Sequence, residues 1–447
     1  MPTLGAIADD FTGATDLATT LVARGFRTVV AVGPAPLVPS PAGGGEDAVA
    51  RAVREADAVV VALKSRSAPV AEAVADSLAA WEGLRAAGCA RFYFKYCSTF
   101  DSTPRGNIGP VTDALLDALG AKGPTVVVPS FPATGRTVAA GLLYVHDELL
   151  EHSPMRHHPL TPMRDSDVAR LLRPQTRRPV ALAALDTVRE GPAALRAALA
   201  APELSRALVV VDAVTEEDLG TIAAATADAP LVTGAAGLAV GLRGPRATAG
   251  TAGPEPDTAR APAASRPGDP AVILSGSASS ATRAQVAHAR ARLPYRKLDL
   301  DALRGDFDAA VADLVAFARS CWEESTERPP LIYAVDDLAD LETGAGDTGP
   351  EAIPASALVE KTLAACAERL VAAGARRVLV AGGETSGAVV TALSVRALSI
   401  GAPIAPGVTW ASARSRVDGR EHDVDLALKS GNFGSAEIFT EAWSTLV

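Results

Sequence analysis

A chain of 447 residues has room for two or three domains of roughly 150 residues each. Its formal charge of -10, without a run of Lys and Arg, excludes the basic footprint of a nucleic-acid partner. Four cysteines without CxxC spacing exclude a zinc ribbon or disulfide framework, and no stretch reaches the roughly 18 apolar residues of a membrane span. The N-terminus enters a strand at once, without a charged and apolar leader, so a cytoplasmic protein is expected.

In chain order, apolar runs predict strands at Leu4–Ala8, Thr28–Val32, Ala58–Leu63, Arg91–Phe94, Thr125–Val128, Val180–Leu182, Ala207–Val211 and Leu231–Thr233. Helical spacing predicts helices between them, at Ala14–Arg24, Val70–Ala87, Ile108–Leu119, Ala193–Ala200 and Glu216–Ala227. Such alternation implies parallel strands joined by crossover helices. The runs are apolar throughout, as strands covered on both faces should be.

Residues Arg246–Pro270 break the composition: Ala, Pro, Gly and Thr with almost no large apolar side chain, too little to build a core. They read as a linker (246–270) between a first domain, 1–245, and a second, 271–447. Alternation then resumes, with strands at Val272–Leu274, Tyr295–Leu300, Leu331–Val335, Val378–Ala381 and Leu426–Leu428. Helices are predicted at Ala281–Arg292, Phe307–Cys321, Ala357–Ala373, Gly387–Ala397 and Ala436–Leu446. Pro34–Gly45 and Leu341–Pro354 read as surface loops, and no repeat is evident. The expected class is α/β: two domains, each a mainly parallel sheet flanked by helices, with an active-site cleft between them.

In open α/β sheets ligands bind beyond the carboxyl ends of the strands. The first strand runs into Asp9-Asp10-Phe11-Thr12-Gly13, two adjacent carboxylates whose side chains diverge. One can hold substrate or metal while the other takes a proton from a hydroxyl; alternatively Asp10 or Thr12 only caps the helix. After Arg91–Phe94 comes a loop dense in donors: Lys95, Ser98, Thr99, Asp101, Ser102, Thr103, Arg105 and Asn107. It suits a small, oxygen-rich anion better than a plain turn, which would favour Gly, Asn and Pro. Arg136, in Pro129–Thr137, could clamp a carboxylate with its planar fork or lie on the surface. His157 and His158 are adjacent, so their side chains diverge, and no third ligand is spaced to join them; a proline-bounded loop over a pocket is the reading there.

The second half carries two Gly/Ser turns between strand and helix, Ser275-Gly276-Ser277 and Gly382-Gly383-Glu384-Thr385-Ser386-Gly387. Each sets free backbone N–H groups at a helix N-terminus, a ready anion site, and glycine allows close approach. Neither matches GxxxxGK[ST] or GxGxxG. A third turn, Lys429-Ser430-Gly431-Asn432, adds a cation.

Together these segments resemble the four-carbon acid sugar kinases. The carriers are ADDFTGATD (Ala8–Asp16), KYCSTFDSTPRGNIGP (Lys95–Pro110), PSFPATGRT (Pro129–Thr137), LSGSASSATRAQ (Leu274–Gln285), AGGETSG (Ala381–Gly387) and LKSGNFG (Leu428–Gly434). HPLTPMRDSD (His158–Asp167) looks most like the 3-oxo-tetronate branch. The resemblance implies a sugar acid held by Asp9, Asp10, Lys95, the 98–107 loop and Arg136, and ATP with Mg2+ on the three turns of the second half. It also implies transfer of phosphate to the terminal hydroxyl, with Asp10, then Asp9, as candidate base beside Lys95. The metal's ligands are left unassigned and a homodimer is left open. Rival readings are a D-threonate or D-erythronate kinase, a non-catalytic sugar-acid sensor, and a nicotinamide-dependent dehydrogenase, the last disfavoured by the missing GxGxxG.

Overall fold

Short runs of Val, Ile and Ala, apolar on both faces, become strands buried along their whole length. The computed structural model describes residues 2–34, 37–38, 48–100, 103–157, 162–247, 263–337, 340 and 353–446. The chain divides into two units, Met1–Ala259 and Arg260–Val447. Of the expected linker, 248–262 lies outside the described residues, as does most of both Pro/Gly-rich inserts. Its flanks are anchored: Arg246 Nε donates to Asp57 Oδ2 at 2.8 Å in the first unit. In the second, the backbone N–H groups of Ala264 and Ser265 donate to the Asp425 carboxylate at 3.0 and 2.7 Å.

The strands of the first unit are β1 (Leu4–Ala8), β2 (Thr28–Val32), β3 (Ala58–Ala62), β4 (Arg91–Lys95), β5 (Thr125–Val128), β6 (Arg136–Ala139), β7 (Leu142–Val145), β8 (Glu148–Leu149), β9 (Val180–Ala183), β10 (Leu208–Val211) and β11 (Leu231–Gly234). Its main sheet has the order β2-β3-β1-β4-β11-β5-β10-β9, parallel throughout. From β1 the chain goes to β2 and β3 on one side and then to β4 on the other. The β1/β4 gap is therefore a topological switch point, where a crevice opens beyond the carboxyl ends.

A small antiparallel sheet, β6-β7-β8, has no counterpart among the predicted strands. Ala140 and Gly141 link β6 to β7 with φ of +51° and +76°, a two-residue hairpin loop whose left-handed backbone suits strand twist. Asp212, buried after β10, receives the N–H groups of Ala140 at 2.8 Å and Gly141 at 2.9 Å, and so ties the hairpin to the main sheet.

The second unit has β12 (Ala271–Ser275), β13 (Tyr295–Lys297), β14 (Leu331–Tyr333), β15 (Arg377–Ala381), β16 (Ala397–Ala405), β17 (Val408–Val417) and β18 (Arg420–Lys429). They follow the order β13-β14-β12-β15-β18-β17-β16. The first five are parallel, while β17 runs antiparallel to both β18 and β16. β13 and β14 lie on one side of β12 and β15 on the other, so a second switch point falls at β12/β15.

In the second unit several elements differ from expectation: the strand expected at Tyr295–Leu300 is Tyr295–Lys297, and the helix expected at Ala436–Leu446 is a short helix, Ile438–Glu441, followed by a 3-10 turn. The helix expected at Gly387–Ala397 is Gly383–Ala392, and Ala397 already belongs to β16. Strand β18 is ten residues long, of which only Leu426–Leu428 was expected, and β16 and β17 were not expected at all. In β17 buried Ser415 and Val417 alternate with exposed Arg414 and Arg416, so no apolar run marks it. Fully buried Trp410 on β17 donates its indole N–H to the Ala442 carbonyl at 3.0 Å, holding the C-terminal turns on this sheet.

Candidate active site

At the first switch point, Ala8 of β1 and Lys95 of β4 are register partners. The backbone continues the ladder one step: Asp9 N–H donates to the Lys95 carbonyl at 3.1 Å. Asp10 then caps the helix Phe11–Ala23 from an extended conformation, φ -149° and ψ 162°. Its Oδ1 accepts from Gly13 N–H at 3.0 Å and its Oδ2 from the Thr12 hydroxyl at 2.8 Å. Capping and charge placement coincide in this one residue.

The structure adds Arg66, which the sequence reading missed. It follows β3, and its guanidinium grips Asp9 with both prongs, Nε to Oδ2 at 2.9 Å and Nη2 to Oδ1 at 2.8 Å, and reaches Asp10 Oδ1 at 2.8 Å. Burial pushes the Asp9 carboxyl up despite this partner. Burial also acts on Asp10, but Arg66, Lys95, Thr12 and Gly13 outweigh it and hold that group below the ordinary carboxylate range. A small cavity lined by Asp9, Ser65, Arg66, Phe94, Asn107 and Ile108 opens here.

Lys95 is buried, 3 % exposed, and its Nζ donates to the Tyr96 carbonyl at 2.9 Å. The ammonium lies against the first turn of the helix: a Cβ on Gly13 would stand 2.8 Å from Lys95 Nζ and 2.2 Å from Asp10 Oδ1. Only glycine leaves that space. Asp16, one turn further along, is 5 % exposed and its Oδ1 has no hydrogen-bond partner among the described residues. Burial, with a smaller push from Asp10, lifts its carboxyl to about 6 against the pull of Lys95 and Arg136.

The expected loop residues divide. Asp101 and Ser102 lie outside the described residues. Thr99 is buried with its hydroxyl 2.9 Å from Cys97 Sγ, Ser98 is half-buried, the Thr103 hydroxyl accepts from Arg105 N–H at 3.2 Å, and the Arg105 side chain is exposed. Asn107 directs its amide N–H groups to the Ser65, Arg66 and Ala68 carbonyls at 2.7, 3.2 and 2.9 Å, and so anchors the loop that carries Arg66. Arg136, half-buried at the start of β6, donates to the Thr134 carbonyl, while its Nε is buried without a partner among the described residues.

At the second switch point, Ser275, Ala381 and Lys429 stand side by side at the ends of β12, β15 and β18. The N–H groups of Gly276 and Ser277 turn back to the Ala381 carbonyl at 3.0 and 3.2 Å, and Gly382 N–H goes to Lys429 O at 2.8 Å. The three turns pack without spare room. A Cβ on Gly276 would stand 2.2 Å from Thr385 Oγ1, and one on Gly431 would stand 2.7 Å from Ser277 Oγ. Gly382, at φ +126° just before the helix Gly383–Ala392, holds a backbone shape that side-chain-bearing residues rarely adopt. The hydroxyls of Ser275 and Ser386 are buried without partners among the described residues. Ser277 is half-buried, Gly383 and Gly387 frame the helix start, and Glu384 and Asn432 are exposed.

Lys429 is fully buried rather than presented to a ligand. Its Nζ donates to Ser430 O at 2.9 Å, Gly431 O at 3.0 Å and Thr282 Oγ1 at 3.2 Å, and burial lowers it to about 7. Ser279 and Thr282, on the helix Ser280–Arg290 and its cap, also donate to Gly431 O, and Gln285 Nε2 reaches the carbonyls of Phe433, Gly434 and Ser435, each at 3.0 Å. One helix face thus clamps the 429–435 turn. Among the described residues, no group of three or more His, Cys, Asp or Glu could hold a metal, and no helix is long and apolar enough to cross a membrane.

Residues 4–242 match the family described as the sugar-binding N-terminal domain, and residues 272–439 the one described as the nucleotide-binding C-terminal domain. The 3-oxo-tetronate kinase of Burkholderia multivorans is 48% identical over 447 residues, covering 100% of this chain and 97% of that protein. The protein of the same description from Salmonella typhimurium is 42% identical, covering 98% of each. Among solved structures, one from Salmonella typhimurium LT2 superimposes with a TM-score of 0.80 at 39% identity over 99% of each chain. The Haemophilus influenzae protein HI1011 gives 0.71 at 38% identity, covering 99% of this chain and 100% of that one.

Proposed function

The chain belongs to the family that joins a sugar-binding N-terminal domain to a nucleotide-binding C-terminal domain, and from that premise we propose an ATP-dependent kinase. It phosphorylates the terminal hydroxyl of a four-carbon sugar acid, 3-oxo-tetronate first among them, as in the relatives of that description. The observation that carries the reading is the pair of switch points, one furnished for an anionic polyol and the other for phosphate.

On the acceptor side, Lys95 and Arg136 supply cations for the substrate carboxylate, and Asp9 and Asp10 supply fixed negative charge that orders Arg66, Thr12 and the helix start. On the donor side the fit to a nucleoside triphosphate is good. Gly276 and Gly431 sit where a Cβ would collide with Thr385 and Ser277, Gly382 holds φ +126°, and the Ser275 and Ser386 hydroxyls, buried without partners among the described residues, can donate to an anion. Backbone N–H groups at the starts of Ser280–Arg290 and Gly383–Ala392 would hold phosphate oxygens. Mg2+ accompanying the triphosphate would neutralise part of its charge, the usual ligands of such an ion being phosphate oxygens, waters and one or two carboxylates. Catalysis is then mostly positioning and electrostatics. Lys429 acts on the donor side through the turn it holds. An enzyme fed by ATP and a small metabolite belongs in the cytoplasm.

The test is ADP release, followed by a coupled assay, over 3-oxo-tetronate, threonate and erythronate of both hands. Turnover highest with a 3-oxo acid supports the reading. Turnover confined to threonate or erythronate moves the protein to another branch of the family, and ADP release with none of them rejects it.

A further inference from the structure

Asp16 is a buried carboxylate that the acceptor side has not yet used. Its Oδ1 has no hydrogen-bond donor among the described residues, although the side chain is only 5 % exposed. An unanswered buried polar atom costs the fold free energy, and such atoms call for an explanation in what the site does. Its surroundings point to one. Asp16 lies three residues from Gly13, on the helix face that Lys95 Nζ approaches. The charged and titratable groups that face it come from each neighbouring element: Lys95 and the Tyr93 phenol on β4, Asp10 at the helix start, and Arg136 on β6.

We propose that Asp16 is the proton acceptor for the substrate hydroxyl that attacks the nucleotide. The inference rests on the kinase reading above. In the step, the substrate O–H bond breaks and its proton passes to the Asp16 carboxylate. The hydroxyl oxygen bonds to the γ-phosphorus as the bond from that phosphorus to the bridging oxygen breaks, and the nucleoside diphosphate departs with that electron pair. Nothing is oxidised or reduced.

The two carboxylates before it are poorly placed for this task. Both oxygens of Asp9 are held by the Arg66 fork, and those of Asp10 accept from Thr12, Gly13 and Arg66. A carboxylate held below its ordinary range, as Asp10 is, is a weak proton acceptor. Asp16, lifted to about 6, lies nearer to neutrality, where a general base works best.

The experiment compares wild type, Asp16→Asn and Asp16→Glu in kcat, KM and pH profile. Because the charged form is the active one, wild-type kcat should rise with pH through about 6 and then level off. Asp16→Asn keeps the shape and loses the acceptor. Its kcat should fall about 100-fold or more, within the usual contribution of a general base. Its KM values should stay within about threefold and its acidic limb should vanish. Asp16→Glu should restore part of kcat together with the limb. Wild-type kcat or an unchanged limb in Asp16→Asn, or a loss confined to KM, overturns the proposal. So does a wild-type profile that is flat between about pH 5 and about pH 8, a result that needs no variant to fold. A wild type that releases no ADP with any four-carbon acid brings down the kinase reading and this inference together; an active wild type with an equally active Asp16→Asn brings down the inference alone.

Discussion

The backbone N–H of Asp9 donates to the carbonyl of Lys95 at 3.1 Å, which sets a carboxylate beyond the first strand beside an ammonium at the end of the fourth. Eighty-six positions of chain separate them, yet parallel pairing of β1 with β4 makes them neighbours. The second unit repeats the device, where Gly276 and Ser277 turn back onto the Ala381 carbonyl between β12 and β15. In both units the chain reverses its direction of strand addition at that gap, and the polar residues gather there.

Arg66 should be irreplaceable by lysine. Removing it leaves Asp9 buried without its partner, and breaking such a pair typically costs about 3 kcal/mol. Arg66→Met should lose that much in urea unfolding. Arg66→Lys should recover less than half, because a point charge cannot fork two oxygens. Wild-type stability in Arg66→Lys would show that the bidentate geometry contributes little.

Gly276→Ala should weaken nucleotide binding by about tenfold or more, because the new methyl lands on Thr385 Oγ1, 2.2 Å away. Calorimetry with ADP reads this directly, and sugar-acid binding should not change. Adding Thr385→Ala should restore part of the affinity by clearing the clash. Unchanged ADP affinity in the single variant would remove this turn from the donor side.

Lys95→Met should do the converse. Loss of the ammonium against Gly13 should lower sugar-acid affinity by about tenfold or more, the usual worth of a charged hydrogen bond, and leave ADP affinity within about twofold. An equal loss of both ligands would mean that Lys95 supports the fold rather than the acceptor.

Lys429 makes a prediction about pH. The unfolded chain keeps this proton to about pH 10.4, whereas the folded chain loses it near 7. Between those values the unfolded state binds more protons, so stability rises with pH, and the cost of the buried charge is fully present below about 7. From pH 7 to pH 9 the wild type should gain about 2 kcal/mol relative to Lys429→Met, as measured by urea unfolding. Parallel curves would mean that the ammonium is solvated or paired in solution.

The parallel strands were legible because burial on both faces leaves continuous apolar runs, as in Ala58–Ala62. The switch-point turns were legible because polar and glycine residues interrupt such runs at the strand ends: Asp10 caps the next helix, Gly276 packs on Thr385 and Gly382 holds a positive φ. Strands β16 and β17 were not: one face carries Arg414 and Arg416, and the buried face uses small residues such as Ser415. Arg66 was overlooked in a Ser-Arg-Ser stretch, although its place after a buried strand was a usable signal. Asn107 and Lys429 carry the chemistry of ligand groups, but the fold turns each onto backbone carbonyls, which their own sequence context does not signal. Asp16 looked like any polar position on a helix until its burial was known.

The most direct test of transfer between the two sites is proton-coupled 31P NMR of the product formed from ATP and 3-oxo-tetronate. The expected product is a phosphomonoester whose signal is split into a triplet by the two protons of a terminal methylene. A doublet from a secondary position, or inorganic phosphate alone, would contradict it.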